Sequence, residues 1–176
     1  MQSLPVLTPG KLSLLVAPRA FLKQAMPPLI ARQALSGRLH VLDGGNCFNA
    51  YGVSRALRRQ SHQMPDHLEN IMVARAFTCY QVVTLLSETW TDGLPVLALE
   101  LLATFYDENV RISERRRLLE HSLAHLQRLS RSTSVAITAN IPPPAGQEQW
   151  LRMLEESASQ VWQLEGQADP HTPPLL

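Results

Sequence analysis

The sequence predicts an α/β fold, with a mainly parallel central sheet flanked by helices. Three observations carry that expectation. Short apolar runs alternate with stretches of helical periodicity, the pattern of strands joined by crossover helices. The longest apolar run, Leu94–Leu102, reads as a strand covered on both faces. At 176 residues the chain suits one compact domain with a sizeable core.

The elements follow in order. Leu12–Val16 is the first expected strand, ending in the turn-prone Ala17-Pro18. Pro27-Pro28 is expected to open a helix at its first turn, where a missing N–H is tolerated. Leu29, Ile30, Ala34 and Leu35 give that helix an apolar side before Gly37 ends it. Leu39–Leu42 is the second strand, closed by Asp43-Gly44-Gly45, and a second helix is expected from about Ala50 to Gln60. Ile71–Ala74 is the third strand. A third helix, Tyr80–Trp90, buries Val82, Val83, Leu85 and Leu86, and Asp92-Gly93 is a turn. Leu94–Leu102 is expected to be the central strand. Ser113 is the expected N-cap of a fourth helix reaching about Ser130, with Leu119, Leu123 and Leu126 on one face. Val135–Thr138 is a fifth strand, and a stiff proline-rich loop spans Ile141–Gly146. Residues Trp150–Leu164 hold one or two edge strands, or a helix and a strand. The expected domain is 11–165, with an extension at 1–10 and a loose tail at 166–176.

Composition excludes several classes. Hydrophobic residues make up 45% and charged residues 18%, a globular balance. The net charge of +1 exerts no general pull on nucleic acid or an anionic membrane, so such binding needs a local patch. Cys47 and Cys79 are too few for a disulfide framework, and no zinc spacing is present. The N-terminus lacks the charged-then-apolar pattern of a secretory signal. No apolar run reaches about 18 residues, so no conventional membrane span or membrane partner is expected. The expected compartment is the cytoplasm, or the nucleus in a eukaryote.

In parallel sheets ligands bind beyond the carboxyl ends of the strands, so those ends direct the search for function. After the first strand, a phosphate loop of the form G-x-x-x-x-G-K-[ST] overlays residues 17–24. Its glycines let backbone N–H groups turn toward phosphate, its lysine adds charge and its hydroxyl holds magnesium. Here Ala17 and Leu22 replace the glycines, Gln24 replaces the hydroxyl, and only Lys23 survives.

The strings VLDGGNCFNAYGVSRALRR at 41–59 and NIMVARAFTCYQVVTLL at 70–86 resemble the RecA/RadA recombinase family. In that family a second strand ends in D-T-E-x-x-F, and a third reads Y-A-R-A-F with an H-Q pair a few residues on. Asp43 and Phe48 match the first pattern. Ala74, Arg75, Ala76, Phe77 and Gln81 match the second, with Tyr80 in place of the histidine. LALELLATFYDEN at 97–109 resembles the metal-binding strand I-V-D-S-x-x-x-L-Y, with Glu100 at the aspartate and Phe105-Tyr106 at the aromatic end. SVAITAN at 134–140 resembles V-x-x-T-N-Q through Asn140. Together the matches cover most of residues 10–165 and imply a RecA-like, phosphate-loop-type core.

The departures bear on chemistry. The resemblance implies a water-activating glutamate where this chain has Gly45, and a metal-holding aspartate where it has Glu100. With the altered phosphate loop, three parts needed for phosphoryl transfer are missing or changed. The two loops that contact DNA in the family are cut to Asp107–Ser113 and IPPPAGQEQ. The family's N-terminal helical domain and polymerising segment are expected to have no counterpart, because the first strand begins near Lys11. The resemblance therefore implies a recombinase paralog with degenerate nucleotide motifs, no catalytic residues, no cofactor and no metal. Its implied partners are a recombinase-like protein and single-stranded or duplex DNA. Two alternatives stand beside it. One is a divergent ATPase in which Lys23 and Glu100 still hold Mg-ATP weakly; the other is an interaction or regulatory module with no DNA link.

Arg111, Arg115, Arg116 and Arg117, near Arg128 and Arg131, form the densest basic cluster and are the candidate DNA-binding or docking residues. A solvated face partly paired with Glu114 and Glu120 is the other reading. Arg55, Arg58 and Arg59 share a helical face and take the same two readings. His121 and His125 have i, i+4 spacing but no third ligand nearby, so a surface pair is expected. Cys47 and Cys79 each follow one of two neighbouring strands; reduced, partly buried thiols are expected over a redox pair. Trp90, Trp150 and Trp162 are too dispersed for a base-stacking platform.

Overall fold

A computed structural model describes residues 9–88 and 92–164. Residues 1–8 of the expected extension, the expected helix end at Trp90 and the expected tail at 166–176 lie outside the described residues. Six strands, β1 Leu12–Pro18, β2 Leu39–Asp43, β3 Ile71–Arg75, β4 Val96–Leu99, β5 Val135–Ile141 and β6 Gln160–Gln163, form one sheet in the order β3-β2-β4-β5-β1-β6. Every pairing is parallel. The helices are α1 Arg19–Ser36, α2 Ala50–Arg58, α3 Met64–Glu69, α4 Cys79–Glu88, α5 Ile112–Ser130 and α6 Glu148–Ser157, with a 3-10 turn at Leu101–Tyr106.

Strand side chains alternate between two cores. Leu12, Leu14 and Val16 of β1 join α4, α5, α6 and the 3-10 turn on one face. Leu15 and Ala17 join α1 and α2 on the other. β4 divides the same way, Val96 and Ala98 against Leu97 and Leu99, as the period of two requires. The α/β fold is thus as the sequence predicts and is consistent with a RecA-like core. The final segment takes the helix-plus-strand alternative.

Several boundaries are corrected. α1 begins at Arg19, not at Pro27, and carries Pro27 and Pro28 inside it. Internal prolines cost a helix about 3 kcal/mol each. Burial of Leu22, Met26, Leu29 and Ile30 against the sheet, at about 1.5–3 kcal/mol per large side chain, outweighs that cost. Strand β4 covers only Val96–Leu99 of the expected Leu94–Leu102, because Glu100 adopts a left-handed conformation (φ 45°, ψ 51°) and turns the chain into the 3-10 segment. β4 remains central and buried but is not the longest strand; β1 and β5 are longer. The N-cap of α5 is Arg111, not Ser113. α3 was not expected.

Candidate functional site

Crossovers leave neighbouring strands toward opposite faces at two places. From β1 the chain passes into α1 on one face, whereas from adjacent β5 it passes to α6 on the other. β2 and β4 diverge likewise. Such switch points open crevices at the carboxyl edge of a sheet. The ends of β1, β2, β4 and β5 meet there, bringing Arg19, Asp43, Gly45, Glu100, Thr138 and Asn140 together.

Asp43 is fully buried at the end of β2. Its Oδ1 accepts the Cys47 N–H at 2.8 Å, and its Oδ2 accepts the Phe48 N–H at 3.1 Å and Arg75 Nε at 3.1 Å. A carboxylate so occupied shapes the turn 44–48 and ties β2 to β3, with both oxygens already engaged by protein donors. The arginine of the ARAF string is therefore the partner of Asp43. Gln81 serves the same string, its Oε1 accepting the Phe77 N–H at 2.8 Å, while Ala76 is buried and Phe77 is exposed.

Glu100 is 6% exposed. Its N–H donates to Thr138 Oγ1 at 2.9 Å, anchoring the turn to β5. Its carboxylate lies against Gly45: a Cβ built there would stand 2.6 Å from Glu100 Cβ and 2.7 Å from Oε2. Gly45 is outside the left-handed region, so space alone requires glycine. The space that a side chain at 45 would need is filled by Glu100. Its polar partners are distant, Asn140 Nδ2 at 3.4 Å and Arg19 Nε at 4.0 Å. Burial raises the Glu100 pKa, Arg19 and Lys23 oppose the rise, and Asp43 adds to it. The Tyr106 phenol is pushed up to about 12 by burial and by the charge of Glu100.

The phosphate-loop residues form no loop. β1 ends at Pro18 and α1 starts at Arg19. Ala17 is buried in the strand opposite Asn140, and Leu22 is in the core. Lys23 and Gln24 sit exposed on α1. Between α1 and the turn after β2 lies a cavity of about 20 Å³, bordered by Leu22, Met26, Phe48 and Glu100. It has room for one water. A wider open groove of about 350 Å³ runs past Arg19, Gly45, Glu100, Tyr106, Asn140 and Pro142. Mg-ATP does not fit these residues: Asp43 is engaged by three protein donors, Glu100 turns toward Gly45, and β1 passes into α1 with no loop between them to present N–H groups to a phosphate. Among the described residues no group of three or more His, Cys, Asp or Glu is arranged to hold a metal.

Cys47 and Cys79 pack on opposite faces of the sheet, which excludes a redox or metal pair between them. Burial pushes the Cys47 thiol up to about 12, with Asp43 and Glu100 adding to the rise, so it carries little thiolate.

The arginine cluster does not form one surface: Arg115 drops out of the candidate cations, and Arg117 follows the reading of a face partly paired with Glu114. Arg115 is buried, its Nη1 donating to the Phe105 carbonyl and Gln147 Oε1, each at 3.1 Å, and its guanidinium lies 5.3 Å from the Trp150 ring centre. Arg117 makes a two-point contact with Glu114 at 2.7 and 2.9 Å. Arg111 and Arg116 are exposed. Sequence reasoning missed Arg19, Tyr106 and Thr138 in the site. For Arg19 the available signal was its place directly after the first strand.

Comparison with protein-family models gives no match, and comparison with curated proteins gives none.

Proposed function

We propose that this chain is a RecA-like domain that acts without hydrolysing ATP, as an accessory partner in homologous recombination or DNA repair. The observation that carries the proposal is the direct passage of β1 into α1. In a fold consistent with the RecA core, no loop stands between β1 and α1 in which phosphates would be wrapped. The glycine forced at residue 45 by Glu100 supports the same reading, since no water-activating carboxylate fits there. The partners are a recombinase-like protein and DNA, in the cytoplasm. No helix among the described residues is long and apolar enough to cross a membrane. The exposed Arg111 and Arg116 are the docking residues this reading assigns on α5.

Affinity capture with the full chain from the native host tests the proposal. A recombinase-like protein is expected among the captured chains and is expected to be lost from the double charge reversal Arg111→Glu/Arg116→Glu. Capture without any recombinase, or capture unchanged by the reversal, overturns the partner assignment.

A further inference from the structure

The near-neutral net charge conceals a division of the chain. Residues 1–65 contain eight lysines and arginines and one acid, Asp43; the rest contains eight bases and fourteen acids. Asp43 is buried and paired with Arg75, so the excess of positive charge in the first part has no counter-charge within it. The fold gathers that part on one side. α1 and α2 pack together on the same sheet face, with the Pro27 side chain only 3.1 Å from where a Cβ on Gly52 would stand. Neither helix contains an acidic residue. Lys23, Arg32, Arg38, Arg55, Arg58 and Arg59 are all exposed, and among the described residues none of the six forms an ion pair. The acids nearest this face are Asp66 and Glu69, exposed on α3, which packs against both helices.

We infer that the α1–α2 face binds the phosphate backbone of nucleic acid. The inference deepens the DNA part of the proposed function and rests on it only there; a chain without a recombinase partner would bind in the same way. Lys23 and Arg32 are about 13 Å apart along the α1 axis but half a rotation apart around it, so they flank the helix on opposite sides and serve different phosphates. Arg55 on α2 and its C-cap residue Arg59 lie one turn apart, with Arg58 beside them. Tyr51, 74% exposed, precedes Arg55 by one turn and offers a ring on which an unpaired base can stack. A membrane is a poorer match. An interfacial helix inserts a broad apolar face, and the apolar faces of α1 and α2 are buried against the sheet. The α5 side is a poorer match as well, because Arg117 is paired and Arg116 shares its groove with Glu120 and Glu156.

Fluorescence anisotropy of the purified full chain, with labelled single-stranded and duplex DNA of about 30 nucleotides at about 50 and 200 mM salt, tests the assignment. Binding is expected at the lower salt and weakens steeply at the higher. The triple variant Arg55→Ala/Arg58→Ala/Arg59→Ala should lose about tenfold or more in affinity. Its salt slope should fall by about 0.9 for each phosphate contact removed on duplex. Lys23→Ala/Arg32→Ala, on the other helix, should weaken binding in the same sense and guards against misfolding of the first variant. Arg117→Ala on α5, whose side chain is paired with Glu114, should bind as the wild type does. Tyr51→Ala should cost about fivefold on the single strand and little on duplex. The inference is overturned if neither DNA binds at 50 mM salt, if only the α5 variant loses binding, or if the chain binds phosphatidylserine vesicles and no DNA. Loss of the recombinase partner with DNA binding intact counts against the proposed function alone.

Discussion

Glu100 and Gly45 define the site at the scale of single residues. A side chain at 45 and the Glu100 carboxylate compete for one space, so their substitutions must couple. Gly45→Ala is expected to cost about 1–3 kcal/mol, the range for overpacking. Combined with Glu100→Ala, most of that cost should vanish. A double-mutant cycle by urea unfolding measures the coupling, and strictly additive costs would refute the contact. Glu100 also has a pH signature. Burial raises its pKa in the folded state, so the folded chain holds this proton more tightly than the unfolded chain does. Stability from this group is then greatest below the ordinary glutamate range, about 4.3, and is lost as pH rises toward the folded value. Glu100→Gln removes the loss. The variant should match wild type near pH 4 and exceed it at pH 7, in denaturation midpoints measured across that window. Asp43 was visible in the sequence as a motif residue, but its real work, holding two backbone N–H groups and Arg75, depends on a turn whose geometry no motif states.

At the scale of elements, the legible parts were those governed by periodicity, and the misread parts were those where packing or one strained residue intervenes. The strands at 12–18, 39–43, 71–75 and 135–141 stand within a few residues of their apolar runs. The run at 94–102 is apolar apart from Glu100, which breaks it into a strand and a 3-10 turn, and hydrophobicity alone does not separate the two. Arg115 is the reverse case. It lies three and four residues before Leu118 and Leu119 and seven before Ser122, all buried, so helical spacing placed it on the buried face from the start. It joins the 3-10 turn to α6: Gln147, which accepts from Arg115 and from Trp150 Nε1, also donates to the Tyr106 carbonyl and to Glu108. The two short segments that follow β4 and β5 are thereby bound to each other. Arg115→Ala is expected to lower stability by about 3 kcal/mol or more, since it removes two buried hydrogen bonds from a charged donor and the stacking on Trp150. Arg116→Ala, exposed on the next position, should stay within about 0.5 kcal/mol. Guanidinium unfolding of the two variants separates a joint from a solvated cation, and equal small effects would remove Arg115 from that role.

At the scale of the whole molecule, the sheet retains the crevices where a parallel fold binds ligands, but the part of the chain that would surround a phosphate is strand and helix. Nucleotide binding needs backbone N–H groups turned outward from a loop, and the passage from Pro18 to Arg19 leaves no residues for one. Lys23 is exposed one turn along α1, where a charge alone is a weak and solvent-screened attraction. Thermal unfolding with nucleotide measures this directly, because a ligand that binds only the folded state raises its stability. At a hundredfold excess over Kd the gain is about 2.7 kcal/mol. For a chain of this size that corresponds to a shift of about 5–10 °C in Tm. Millimolar Mg-ATP is expected to leave Tm unchanged to within about 1 °C, in wild type and in Lys23→Ala alike, with no magnesium-dependent release of phosphate. A shift of several degrees that disappears in Lys23→Ala would show that the helix start opens to form a loop in solution, and would move the chain into the class of divergent ATP-binding proteins. A shift that survives Lys23→Ala would place the nucleotide elsewhere, with the groove beside Glu100 and Asn140 next to be probed.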